Sequence, residues 1–383
     1  MPSEIRVDKV SSTTSPYDPV FSTTGGALSH RNMIINGAMQ VYQRGSLSIT
    51  QTNNGGFALD RFRFLQNAAM GQWVGTMSQD ALSDADIATT GQRNALKVLT
   101  TTVENAVGAD EDSRIVYVVE AQDCQRLLHG TSAARSSTLS FWAKSTVAAN
   151  YAVNIWQEDG NDTITKTYTL AANTWTKVSI TIPGNTLSGG KIANDNTGGL
   201  WIQWMLIAGS DFTSSDSTSW GTYSAAKLAY GHTASSISNP WGTNASDAWY
   251  ITGVQLELGS VATPFEHRSF ADELQKCLRY YHAPVGGGIQ AVGSASSTTS
   301  FSFSYSISTR MRDTPTIVHI NSAAHRAYHS GGYSSSTTNF TIANMKGDIV
   351  QINAPGHSGL TDNRPYTLGM TGSYQIALSS ELS

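Results

Sequence analysis

Between Asn32 and Glu266 the chain alternates apolar and polar residues in short runs of period two, the pattern of half-buried β-strands. The runs cover residues 57–64, 96–102, 114–119, 137–144, 151–157, 163–170, 175–182, 200–208 and 249–258. Turn sequences separate them: Asp159-Gly160-Asn161-Asp162, Pro183-Gly184-Asn185, Gly189-Gly190 and Gly198-Gly199. With no βαβ alternation, residues 32–267 are expected to form an antiparallel two-sheet β-sandwich in an all-β protein. One helical turn is expected at 120–128, closed by Gly130 as C-cap. Residues 211–246, rich in Ser, Gly and Asn, read as a long surface loop.

The period changes once, in a linking segment at 268–284. Ser269 is an N-cap, Asp272 and Glu273 sit in the first turn, and Phe270, Leu274, Cys277, Leu278 and Tyr281 share one helical face over 269–282. Pro284 is expected to stop the helix, and Gly286-Gly287-Gly288 reads as a hinge. Period two returns at 299–309, 316–320, 339–343, 349–352 and 373–378, so residues 285–383 are expected to be a smaller β domain. Residues 1–31 mix Ser, Thr, Pro and Gly and have too little apolar surface to fold alone. They read as a floppy terminus or as an arm that orders against a partner.

Composition narrows the function. Charged residues are only 14% of 383, and the net charge is −4, so the chain lacks the cationic footprint of a nucleic-acid binder. No apolar run approaches the length of a membrane span, and residues 1–10 contain no apolar signal-peptide core. Two cysteines, Cys124 and Cys277, cannot make a disulfide framework in a chain this long.

No catalytic motif emerges. Gly356-His357-Ser358-Gly359 is not a nucleophile elbow, and Gly286-Gly287-Gly288 has no following Lys or helix to make a phosphate loop. His325 and His329 lie in a β region, where a spacing of four does not converge on a metal. Asp110-Glu111-Asp112 and the Asp159–Asp162 cluster have the oxygens of a calcium loop, but read as solvated turns. No cofactor and no metal are expected.

The aromatic residues carry more. Phe141 and Trp142 must face opposite sides of their strand. One sheet face is expected to combine Trp142, Lys144, Asn154, Trp156, Trp201 and Gln203. Indole faces beside amide and ammonium donors suit sugar rings, whose C–H faces stack and whose hydroxyls need partners. The same rings would equally serve to cap a core or to pack beneath the 211–246 segment.

Three stretches resemble a known family. The run from Asn32 to Gly45 (NMIINGAMQVYQRG), with Leu59-Asp60-Arg61-Phe62, is similar to the opening of a group of bacteriophage virion proteins. Residues 139–145 (LSFWAKS), 175–178 (WTKV), 253–259 (GVQLELG) and 262–266 (ATPFE) resemble that group's central sandwich, which is similar to jelly-roll carbohydrate-binding modules. Cys277-Leu278-Arg279-Tyr280-Tyr281 resembles the helix that ends it. The resemblance implies a jelly-roll-like fold in a phage tail fibre or similar appendage, made in the host cytoplasm and displayed on the virion. The expected partners are other virion proteins through residues 1–31, host cell-surface polysaccharide, and further copies of the chain in a trimer. The face of Phe270, Leu274, Leu278 and Tyr281 is one candidate contact between copies, unless it packs on its own sandwich. A head fibre or decoration protein would share these features. A polysaccharide depolymerase would need two placed carboxylates, which no motif identifies.

Overall fold

A computed structural model describes residues 30–50, 55–67, 71–232, 241–283, 291–319, 325–330, 332–337, 339–370 and 376–382. Residues 1–29 of the 1–31 arm and the triple glycine lie outside the described residues. The first strands are β1 (Leu47–Ile49), β2 (Gly55–Phe57), β3 (Phe62–Gln66), β4 (Val74–Ala81), β5 (Asn94–Thr102) and β6 (Asp112–Glu120). They continue with β7 (Ser137–Ser145), β8 (Ala149–Gln157), β9 (Asp162–Leu170), β10 (Thr176–Ile182), β11 (Gly198–Ala208), β12 (Gly221–Thr222) and β13 (Ala248–Leu258). Sheet one has the order β1-β4-β5-β13-β7-β10, and sheet two β12-β9-β8-β11-β6-β3-β2. Every pairing within them is antiparallel. The result is an antiparallel, jelly-roll-like β-sandwich. Its core follows the alternation: Leu139, Phe141 and Ala143 of β7 face Tyr151, Val153 and Ile155 of β8 and Leu200, Ile202, Trp204 and Leu206 of β11. Phe141 meets Trp204 edge to face across the layer, ring centroids 5.9 Å apart.

Several elements differ from the sequence pattern. The run at 57–64 is two strands, broken by a turn at Asp60 and Arg61, where Arg61 is left-handed (φ 74°). The turn holds because its two charges are drawn inward to partners. The 120–128 segment is a 3-10 helix, Ala121–Leu127, and Leu128 rather than Gly130 is its left-handed cap. Helix α1 (Asp84–Thr90) is unforeseen, although Ser83 caps it and Asp84 and Asp86 occupy its first turn. Residues 211–246 are not simply a surface loop: Phe212, Leu228 and Ala229 are buried against Ala152 and Met205 of sheet two.

Helix α2 (Phe270–Leu278) ends six residues before Pro284, and Tyr281–His282 forms β14. Its buried face is Glu273, Cys277 and Leu278, while Phe270 is 55% exposed. Leu278 and Tyr281 are buried within their own chain, so they do not present a face to another copy; Leu274 is half-buried. Glu273 takes the place the periodicity gave to Phe270 because Arg268 and the Asn36 N–H satisfy its carboxylate.

Beyond α2, β15 (Ala291–Ala295), β16 (Phe301–Ser306), β17 (Thr316–His319), β18 (His325–His329), β19 (Gly332–Ser336), β20 (Thr341–Lys346), β21 (Ile349–Ala354), β22 (Pro365–Met370) and β23 (Ile376–Ser379) follow. They form a seven-stranded sheet, β19-β18-β22-β15-β16-β21-β20, and a three-stranded one, β14-β23-β17. Phe301, Phe303, Ile352 and Leu368 lie in their core. After β23 the tail returns to the sandwich, where Leu382 packs with Val116, Val118 and Tyr280.

Candidate functional site

The period-two rule places Trp156 and Asn154 of β8, and Trp201 and Gln203 of β11, on the outer face of sheet two. The register sets Trp201 opposite Trp156 and Gln203 opposite Asn154. The two indoles lie 5.2 Å apart between centroids, and Tyr223 adds a third ring 5.2 Å from Trp156. Both indole N–H groups are already committed, Trp156 to Asn161 Oδ1 (3.2 Å) and Trp201 to Glu158 Oε2 (2.8 Å). Beside the rings, the Gln203 amide donates to Asn154 Oδ1, and Asn154 donates to the hydroxyls of Thr163 and Thr165. Asn154 and Gln203 are buried, whereas the two tryptophans are half-buried.

Trp142 and Lys144 do not join this face. They stand on β7, which pairs with β13 and β10 in sheet one, so they face outward on the opposite side of the sandwich. The chain crosses from one sheet to the other between β7 and β8, and alternation within a strand carries no information about which sheet the strand joins. Lys144 is engaged there: it lies 3.6 Å from Asp86 and over the rings of Trp175 and Tyr250. Trp142 lines a cleft.

Two parts of the chain flank the Trp156–Trp201 face. On one side the 212–232 segment is stitched to β8 and β9. Ala152 N–H donates to His232 Nδ1 (3.2 Å), Thr165 N–H to the Ser217 carbonyl (2.7 Å), and Thr165 Oγ1 to the Lys227 carbonyl (2.7 Å). Burial pushes His232 down to about 4, because the water lost by the cationic ring outweighs the hydrogen bond that the Leu206 backbone offers it.

On the other side lies a buried polar knot. The Arg61 guanidinium pairs with Glu381, donates to the Val118 carbonyl (2.6 Å) and stacks on Tyr280 at 3.5 Å. Arg44 meets Glu381 (2.9 Å) and Asp60 (3.7 Å). Glu120 receives Arg279 and the Tyr280 hydroxyl, both at 2.6 Å. Burial opposes ionisation of Glu381, but Arg61 and Arg44 prevail and hold its carboxyl below the usual range. Burial prevails at Asp60, which is raised despite Arg44. Asn36 secures the same region, donating to the carbonyls of Val41 and Asp60. Asn36, Arg44, Asp60, Arg61, Arg279 and Tyr280 of this knot come from 32–45, 59–62 and 277–281.

The acidic clusters are occupied by the chain itself. Glu111 accepts from the N–H groups of Gly71 and Gly108, Asp162 from Asn185, and Asp112 from Arg114. Among the described residues no group of three His, Cys, Asp or Glu side chains could hold a metal. Tyr223 is the site residue the sequence pattern missed. It lies outside any periodic run, and its only signal is an aromatic residue within a Ser-rich segment.

No protein-family model matches the chain, and no curated protein matches it. Solved structures are similar at low identity. One is the enzymatically active domain of tailspike protein 4 of bacteriophage CBA120, at 9% identity and a TM-score of 0.27. That match covers 60% of this chain and 21% of the tailspike chain, so the chain spans about a fifth of its length. Another is the carbohydrate-binding module TmCBM61 in complex with β-1,4-galactotriose, at 10% identity, 60% and 99% coverage and a TM-score of 0.27. A third is the family 11 carbohydrate-binding module from Clostridium thermocellum with a mixed-linked tetrasaccharide, at 12% identity, 58% and 99% coverage and a TM-score of 0.25.

Proposed function

We propose that the chain is a glycan-binding appendage protein of a bacteriophage virion, of the tail-fibre class. On this reading it docks to the particle through residues 1–31, and the outer face of sheet two holds host-surface polysaccharide. The observation that carries the binding is the paired placement of Trp156 and Trp201, with Tyr223 beside them. Three half-exposed rings, with both indole N–H groups tied down by the chain, offer flat faces on which sugar C–H faces stack. A hydrolytic role would need two carboxylates facing a common bond. Here Glu158 is held by the Trp201 indole and Asp112 by Arg114.

Ring stacking of this size gives weak single-site affinity, which display of several copies in a trimer would raise by about 10²–10⁴ in avidity. Trp156→Ala and Trp201→Ala are each expected to lower adsorption of the purified protein to host cells about tenfold, with the melting temperature nearly unchanged. A large drop in melting temperature with adsorption retained would make the rings structural and end this reading.

A further inference from the structure

Sheet one carries a second opening, on the far side of the sandwich. It is a cleft of about 380 Å³ between the end of α1 and residues 263–267, within the range of roughly 300–1,000 Å³ typical of small-molecule sites. Trp142 and Lys177, register partners on β7 and β10, project into it beside Ser140, Gln92, Phe265 and His267. The cleft exists because of a bulge in β13. Gly253 adopts a left-handed conformation (φ 61°), and a side chain there would press on Trp142 Cδ1 at 3.3 Å and on Gln92.

The polar groups in this cleft differ from those around Trp156. Gln92 is 3% exposed, yet its side-chain amide has no partner among the described residues. The buried Ser140 hydroxyl and the indole N–H of the half-buried Trp142 likewise make no hydrogen bond among the described residues. These polar atoms are not sealed from solvent, so at the wall of the cleft their hydrogen-bonding capacity is open to a ligand that enters. Lys177 is exposed and forms no ion pair among the described residues, and no Asp or Glu lines the cleft. The last-turn carbonyls of α1, at Ala88, Thr89 and Thr90, border it and favour hydroxyl donors.

We infer that this cleft is a second saccharide site, and that it takes an acidic sugar residue. The pyranose stacks on Trp142, vicinal hydroxyls exchange hydrogen bonds with Gln92 and Ser140, and the carboxylate pairs with Lys177. An acidic sugar gains an ion pair with Lys177 that a neutral sugar cannot make, whereas a nucleotide would bring more phosphate charge than one lysine matches. The site is independent of the Trp156–Trp201 face.

The test is calorimetric titration of the full chain with α-1,4-trigalacturonate and with its carboxyl-reduced, neutral counterpart. The acidic trimer is expected to bind at least tenfold more tightly. Trp142→Ala should weaken it tenfold or more and Gln92→Ala about fivefold. Lys177→Gln, at an exposed position outside the core, should abolish the preference for the acidic trimer. Failure of the chain to bind the acidic trimer, binding indifferent to Trp142→Ala, or a preference surviving Lys177→Gln would each overturn the inference. If the Trp156 variants adsorb normally while this pattern holds, the sheet-two reading fails and the cleft stands.

Discussion

The two outer faces of the sandwich both carry tryptophans, but the chain treats them differently. On sheet two, the tail and α2 close one flank and the 212–232 segment closes the other, and the polar atoms between them are committed to the chain. What remains for a ligand is ring surface. On sheet one, α1 and residues 263–267 border a cleft in which an indole N–H, an amide, a hydroxyl and an ammonium make no hydrogen bond or ion pair among the described residues. Stacking without polar bonds tolerates many sugars, while fixed donors select among them. The comparison therefore separates an adhesive face from a selective one.

The largest way to break it is to open the tail flank of sheet two. Glu381→Gln removes the charge between Arg61 and Arg44, and Arg61, 2% exposed, is left without its counter-ion. Removing one partner of a buried pair costs about 3–5 kcal/mol. Chemical denaturation should show a loss of that size. The cleft on sheet one should bind trigalacturonate as before, because none of the knot residues lines it. A loss below about 1 kcal/mol would mean that the tail is only loosely held.

Acid should open the other flank. His232 is held near 4 in the fold against 6.5 in the unfolded chain, so the unfolded chain takes up the proton first. Its contribution is complete above pH 6.5 and is lost as pH falls from 6.5 to 4. A shift of that size amounts to about 3 kcal/mol. His129 and His357 are also pushed down by burial and act with the same sign. Glu381 acts separately: its carboxyl lies below the ordinary 4.5, so its contribution fades only as pH falls below that value. Melting temperature measured from pH 7 to 4 should fall for the parent chain and fall less for His232→Gln. Parallel curves would remove His232 from the account.

What the sequence revealed, and what it hid, divides along the same lines. Alternation put Phe141 and Trp142 on opposite sides of their strand, and paired Asn154 with Trp156 and Trp201 with Gln203 on one side, because the direction of a side chain is local to its strand. It joined Trp142 to Trp156 wrongly, because sheet membership depends on pairing between distant strands. Charged residues deceived it twice. Asp60 and Arg61 sit inside an apparent strand, and Glu273 lies on the buried face of α2. Both placements depend on partners far along the chain, Glu381 for Arg61 and Asn36 for Glu273. The polar groups lining the cleft come from α1, Gln92 just beyond it, β7, β10 and residues 263–267, and no window of sequence contains them together.

The smallest effect sharpens the comparison from the open side. Ser83 caps α1, its hydroxyl accepting from Asp86 N–H at 3.2 Å. Asp86 in turn fastens the helix to sheet one through the Trp175 indole (2.8 Å) and Lys144 (3.6 Å). Ser83→Ala removes the cap and should cost about 1 kcal/mol. The helix has only seven residues, so nearly all of that loss should appear as local opening of α1 rather than as global unfolding. The amides of Ile87 and Gly91, which close the turns onto Ser83 and Ile87, should exchange hydrogen about fivefold faster. Amides of β8 and β11 should be unaffected, since α1 touches only the other sheet. Because Ala88, Thr89 and Thr90 border the cleft, trigalacturonate should in turn slow exchange at Gly91, in the parent chain and in the variant alike. Unchanged exchange at Gly91 on saturation with the trimer would show that the end of α1 is not a wall of the binding site.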